Sequence, residues 1–219
     1  AATGDEGIRT AARCCQSVAE MAGLVKEEVL PFSTGVIGEP LDYQKIQDAI
    51  PSLFKKLAGD GWTDVARAII TTDTTTKISA REVEIDSKKV KIIGIAKGSG
   101  MIQPNMATML SFLATDASIE RDFSDQILSD VCEKTFNRIT VDGDTSTNDA
   151  CVLVSTGLAG VDCNKSPQLE LIKQGIFEVM RDLAMAIVKD GEGATKFVEV
   201  RVKGGKSKED SRNIAYSIA

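Results

Sequence analysis

"KISAREVEIDSKKVKIIGIAKG", Lys77 to Gly98, holds two runs of strand-forming residues on either side of the dipeptide Asp86-Ser87. The runs "KISAREVEI" and "KKVKIIGIAKG" read as strands and the two-residue connection predicts a β-hairpin, although Asp-Ser is not the favoured turn dipeptide. Upstream, "DEGIRTAARCCQSVAEMAGL" has helical apolar spacing with an acidic first turn, and "EVLPFSTGVIG" reads as a strand running into a Gly-rich turn. A helix is predicted over Asp42 to Leu57, broken or kinked near Pro51, and "WTDVARAII" adds another. Downstream, the irregular stretch "KGSGMIQPNMATML" leads into a strand from Thr108 to about Ala114, then a helix from Ser124 to Asn137 that Ser124 could cap. The remainder predicts a strand "ACVLVSTG", a long helix with Pro167 in its first turn, a strand "KFVEVRV" and a final helix. The pattern is an α/β mixture (mixed α+β) with antiparallel elements and no internal repeat or low-complexity linker.

Composition narrows the function classes. At 219 residues, 42% hydrophobic and 26% charged, the chain can bury a large core, roughly 70% of its unfolded surface. A net charge of -6 with scattered lysines argues against nucleic acid as a partner, which would need a clustered basic face. No apolar run is long enough to span a bilayer and no signal peptide is evident, so no membrane partner and a cytoplasmic location are expected. Five cysteines, with Cys14 and Cys15 adjacent on a helical pattern, read as free thiols in a reducing compartment. The chain has no histidine at all, which removes the Ser-His, Cys-His and His-metal constellations together. Any base must be a carboxylate, a lysine, a tyrosine or an amine. The opening "AATGDEG" lacks an initiator methionine and the closing "NIAYSIA" has helical spacing without a stop signal, so a longer parent chain is expected.

Several short motifs fail on spacing. "GSGMIQ" has Gln103 where a dinucleotide fingerprint wants its third glycine, and "GGKS" has Val200 in place of the first glycine of a phosphate loop. "DGDTSTND", Asp142 to Asp149, hints at calcium, but Gly143 comes too early for an EF-hand loop. An aspartyl-phosphate nucleophile is conceivable there. An Asx-rich turn whose carboxylates bond local backbone is the stronger reading.

What remains is hydroxyl and glycine motifs. "FSTGVIG" places Ser33 and Thr34 before Gly35, "TTDTTTK" clusters threonines around Asp73, and "MATML" holds Thr108. Each alone reads as a turn, a helix exit or a strand start. Together they suggest hydroxyl nucleophile chemistry, because one device supplies a base without histidine. If the peptide bond before a threonine is broken, the freed α-amine lies on the same residue as the hydroxyl and titrates near neutrality, about 7.7 to 8.0.

The ordered stretches "VLPFSTGVIGE", "AIITTDT", "AKGSGMIQPNMATML", "VDGDTSTND" and "KDGEGATK" resemble the glutamate N-acetyltransferase family, also called ornithine acetyltransferase, of arginine biosynthesis. The resemblance covers essentially the whole chain. It implies sheets packed between helices and autocatalytic cleavage between Ala107 and Thr108. Residues 1–107 would then be part of an α chain and residues 108–219 part of a β chain, both shorter than in the family, associating as heterodimers and higher oligomers such as a heterotetramer. It further implies that Thr108 becomes the nucleophile, that Thr34 and Gly35 stabilise the oxyanion, and that Thr74, Lys97 and Glu192 contact substrate. The implied reaction is ping-pong: acetyl passes from N2-acetylornithine to Thr108 and then to glutamate. No metal or cofactor is implied. Acetyl-CoA stands as a possible additional substrate, since the family has monofunctional and bifunctional members. From other classes, an N-terminal-nucleophile amidohydrolase or aminopeptidase, or an inactive fragment, are the alternatives. The substrate-binding asparagine and hydroxyl residue near the family's C-terminus have no counterpart before Ala219.

Overall fold

The computed structural model describes residues 2–103 and 109–219. Backbone contacts divide the chain into two compact units, Ala1–Val65 and Ala66–Ala219.

The first unit is helical. Helix α1, Gly4–Ala22, carries Asp5 and Glu6 in its first turn, where they face the positive end of the helix dipole. It ends at Gly23, whose left-handed φ of 70° closes the helix. Helix α2, Tyr43–Phe54, starts at Asp42, whose carboxylate accepts the Gln44 and Lys45 N–H groups at 3.1 and 3.4 Å. Pro51 lies inside the helix, in its last turn, and the helix continues past it to Phe54 and does not break there. Tyr43 joins α1 and α2: its hydroxyl bonds Ser17 at 2.9 Å and the Arg13 guanidinium lies 3.7 Å over its ring. The strand expected over Glu28–Gly38 is absent. A 3-10 turn, Lys26–Glu28, leads into irregular backbone there. A strand needs a ladder neighbour, and among the described residues this unit holds none.

Helix α3, Trp62–Ala68, contains the division between the units, and its last three residues belong to the second. There β1 (Lys77–Ile85), β2 (Lys88–Lys97), β3 (Leu110–Thr115) and β4 (Ala150–Ser155) form one sheet in chain order. β1 and β2 make the expected hairpin, with Ile85 opposite Lys88. Asp86 and Ser87 take φ of 52° and 59°, the left-handed pair that a tight hairpin turn requires. β2 pairs antiparallel with β3, and β3 pairs parallel with β4 after a crossover through α4, Arg121–Cys132. α4 starts three residues before the expected position. Ser124 is therefore inside the helix, donating its N–H to Glu120 O at 2.9 Å, rather than capping it.

Helix α5, Gln168–Lys189, buries Ile172, Ile176, Val179, Met180, Leu183 and Ile187, the i, i+4, i+7 stripe of a helix lying on a sheet. Two glycines set how closely it lies. A Cβ on Gly175 would come within 2.5 Å of Ile92 Cδ1 and 2.8 Å of Val83 Cγ2, and one on Gly94 would meet Leu183 and Val179 at 3.0 Å. The final helix α6, Lys208–Ile218, is capped by Ser207, which accepts the Asp210 N–H at 3.0 Å. The strand expected over "KFVEVRV" is not formed. Residues 196–202 are irregular, with Phe197 and Val198 exposed, because the sheet ends at β1 and β4 and neither pairs with them.

The mixed α/β class thus stands, and the β2–β3 ladder, Ile92–Lys97 with Leu110–Thr115, spans the position at which the sequence predicts a cut. Filling the close approach should test the packing. Gly175→Leu should lower stability by about 1–3 kcal/mol through overpacking, read as a lower urea midpoint.

Candidate active site

One buried cation organises the end of the sheet where β1 begins and β2 finishes. The Lys77 side chain has no solvent exposure, and its ammonium lies 2.6 Å from Asp73 Oδ1 and 2.6 Å from Asp190 Oδ2. A third bond goes to the Thr75 carbonyl at 3.3 Å, so all three donors are used. Each carboxylate in turn holds backbone. Asp73 accepts Gly98 N–H at 2.7 Å and Thr71 N–H at 3.2 Å. Asp190, just past α5, accepts Thr74 N–H at 3.0 Å, Thr75 N–H at 3.3 Å and the Thr74 hydroxyl.

Three residues singled out in the sequence border this network. Thr74 is fixed by Asp190. Lys97, 8% exposed, is the last residue of β2, opposite Leu110 of β3 and next to the anchored Gly98. Glu192 donates its N–H to the Ser99 carbonyl at 2.7 Å. Its carboxylate lies against Gly100, where a Cβ would come within 2.8 Å of it. Only glycine at 100 leaves that carboxylate its place. Ser99 is held by Thr72, hydroxyl to hydroxyl at 2.7 Å.

The lead-in to residues 104–108 is also pinned. Asp142 accepts Met101 N–H at 2.5 Å, Ile102 N–H at 2.9 Å and Asp144 N–H at 3.1 Å. The "DGDTSTND" segment is thus an Asx turn as expected, with a second role across the chain in holding Met101 and Ile102. At its far end Asp149 precedes β4, and its carboxylate accepts the Met109 N–H.

The charges tune one another. Burial pushes the Asp73 carboxyl up, but the Lys77 ammonium and the Gly98 and Thr71 N–H groups outweigh it and hold the group below the usual range. Asp190 likewise falls to about 2, with desolvation overcome by Lys77 and by the Thr74 and Thr75 bonds. Desolvation lowers Lys97, against the opposing pull of Asp73 and Asp149. Burial raises Asp149 to about 7, against the Met109 N–H and Lys97.

Ala107 and Thr108 lie outside the described residues. Thr34 and Gly35 belong to the first unit: Thr34 is half-buried, and Gly35 has φ of 153°, a conformation that favours glycine. Of the five described site residues, only Glu192 also lines an open cleft of 1210 Å³, whose far wall includes Arg212 and Tyr216 of α6. Reading the sequence alone missed Lys77, Asp73, Asp190, Gly100 and Asp149 as parts of one site. The signal available for the first two was an Asp and a Lys four residues apart within a run otherwise composed of threonines.

The model of the ArgJ family matches residues 1–219. This chain belongs to the ArgJ family. It is 46% identical over 222 residues to the arginine biosynthesis bifunctional protein ArgJ of Pseudomonas fluorescens (strain Pf0-1), covering 100% of this chain and 55% of that protein. The ArgJ of Pseudomonas syringae pv. tomato is 44% identical over the same shares. The chain therefore spans about half the length of these curated ArgJ relatives. A crystal structure of ArgJ from Bacillus halodurans matches 39% of this chain and 41% of that one at 43% identity, with a TM-score of 0.37.

Neutralising the buried cation should separate this network from an ordinary surface pair. Lys77→Met leaves two carboxylates without their counter-charge and should cost about 3–5 kcal/mol. The folded-state values of Asp73 and Asp190 are depressed, so their contribution is complete above the unfolded carboxylate range, about 3.9, and is lost as pH falls towards about 2. Denaturation at a series of pH values should show wild-type stability falling over that window. In Lys77→Met, which lacks the cation that depresses both carboxyls and leaves the desolvation that raises them, that acid-side fall should shrink or reverse in sign.

Proposed function

We propose that this chain is part of a glutamate N-acetyltransferase that moves acetyl from N2-acetylornithine to glutamate through an acetyl-Thr108 intermediate. The observation that carries this reading is that Thr74, Lys97 and Glu192 border one network at one end of the sheet, in a member of the ArgJ family. Lys97 supplies a cation for a substrate carboxylate and Glu192 an anion for an amino group. Thr108 is the nucleophile, exposed by self-cleavage after Ala107, and its own α-amine is the base of acyl transfer. Thr34 and Gly35 supply a hydroxyl and a backbone N–H to the oxyanion.

The two products, residues 1–107 and 108–219 with whatever extends them in the complete protein, stay together as α and β chains, the β2–β3 ladder contributing to their association. Higher assembly to a heterotetramer belongs to the same reading. The relatives are named bifunctional, which supports acetyl-CoA as a second donor to glutamate. No metal or other cofactor has a part in it. Family membership favours the transferase over an N-terminal-nucleophile hydrolase or an inert fragment. Among the described residues no helix is long and apolar enough to cross a membrane, and five free thiols fit a reducing cytoplasm.

Brief exposure of the complete, cleaved enzyme to N2-acetylornithine without glutamate should add one acetyl group to the chain that begins at Thr108, and glutamate should discharge it as N-acetylglutamate. Release of acetate without glutamate would instead identify a hydrolase. Label on Lys97 or a cysteine would replace the nucleophile. Thr34→Val should lower turnover by about 100-fold to 1000-fold, the usual effect of one oxyanion donor, and unchanged kinetics would remove Thr34 from the site.

A further inference from the structure

Self-cleavage poses a problem that acyl transfer does not. Once the chain is cut, the Thr108 amine can take the hydroxyl proton. Before the cut that nitrogen is an amide, whose lone pair is delocalised into the carbonyl. The chain offers no histidine in its place. Some other group must accept the proton, and it must sit beside Thr108 in the uncut chain.

Asp149 is held beside Met109, the residue that follows Thr108 in the chain. The parallel register pairs Leu110 with Ala150, the Ala150 N–H donates to Met109 O at 2.9 Å, and the Met109 N–H donates to the Asp149 carboxylate. Asp149 is therefore anchored on the residue that immediately follows Thr108. Its Oδ2 is buried and has no hydrogen-bond partner among the described residues. A buried carboxylate oxygen left unbonded is unfavourable and calls for an explanation, of which a place in the chemistry is one.

We propose that Asp149 is the general base of the self-cleavage step, taking the Thr108 hydroxyl proton and returning it to the Thr108 nitrogen. This rests on the reading that the chain cuts itself before Thr108. The Thr108 oxygen forms a bond to the Ala107 carbonyl carbon as its proton passes to Asp149. The carbon–nitrogen bond then breaks, and the nitrogen takes the proton back and becomes the free amine. Water next opens the ester, restoring the Thr108 hydroxyl and leaving a carboxylate on Ala107.

The electrostatics suit a group that must accept a proton and then give it up. Desolvation raises Asp149 to about 7, so both of its forms are populated near neutrality. Lys97 is the charged group that acts on it, and Asp73 and Lys77 act on Lys97 in turn. Lys97 itself is the weaker choice of base, because an ammonium has no lone pair until it is deprotonated; desolvation lowers its pKa, but Asp73 and Asp149 oppose that.

The test uses the complete protein made by cell-free translation, with cleavage followed by intact mass. Asp149→Asn keeps the shape and an acceptor for Met109 but cannot take the proton, and should cleave at least about 100-fold more slowly. Wild-type cleavage should rise with pH through one ionisation near 7, and the variant should lack that inflection. In Asp149→Ala, added formate should restore cleavage in proportion to its concentration, which a misfolded chain would not show. Wild-type speed in Asp149→Asn, an unchanged inflection, or no formate response in an Asp149→Ala protein with the wild-type circular dichroism spectrum would each overturn the assignment. Thr108→Ala is run beside them. A cut that persists there overturns the self-cleavage reading itself, whereas an uncut Thr108→Ala beside a fast Asp149→Asn overturns only the choice of base.

Discussion

The ion triad of Asp73, Lys77 and Asp190 is the constraint from which the rest of the site geometry follows. Its members come from the threonine-rich segment, the first residue of β1 and the end of α5, and a single ammonium draws all three together. A buried pair of this kind is not in itself a strong source of stability, because desolvating three charges offsets much of their attraction. What it provides is position. The two carboxylates spend their remaining lone pairs on the N–H groups of Thr71, Thr74, Thr75 and Gly98, so the backbone around Thr74 and Lys97 is fixed, at Gly98 by a buried bond and at Thr74 and Thr75 by exposed ones.

Carboxylate on backbone recurs around the site. Asp142 holds Met101 and Ile102, and Asp149 holds Met109, so the chain on both sides of residues 104–108 is pinned by an aspartate accepting amide protons. The same residue type serves opposite ends in electrostatic terms. Where a lysine and several N–H groups converge, as at Asp190, the carboxylate is held ionised down to about 2. Where burial dominates, as at Asp149, it stays protonatable up to about 7. In a chain without histidine, that divergence between aspartates is how a group titrating near neutrality can arise.

The sequence made the hairpin legible because its signals are local: two strand-forming runs at a separation only a tight turn can bridge, and short polar residues able to take positive φ at Asp86 and Ser87. The same local reading failed over residues 28–38 and 196–202, where strand-like runs lack the neighbour that would complete a ladder, a property no run of residues carries by itself. The site divides in the same way. Thr74, Lys97 and Glu192 could be named through family resemblance. Lys77 could not, because its second carboxylate is 113 residues away and the pairing exists only once α5 lies across β1 and β2. Asp149 read as a turn carboxylate for a related reason: its burial arises from the parallel pairing of β3 with β4, which is not visible in "DGDTSTND".

The proposed cut falls two residues before β3, and the residues that follow it are firmly held. Leu110 is bonded into ladders on both sides, to Lys97 of β2 and Ala150 of β4. A chain that begins at Thr108 has only one residue between its amine and that clamped position, and Met109 is itself bonded through its N–H to Asp149 and through its carbonyl to Ala150. Met109 is therefore held on both sides of its peptide framework, one residue after the proposed cut. Under the proposed mechanism, holding the residue next to the nucleophile reduces the conformers to be searched, and such positioning is the larger part of what intramolecular catalysis gains over a free reactant. Strand pairing that would only support the core in another protein here also fixes Met109 and Leu110, the residues that follow the proposed nucleophile.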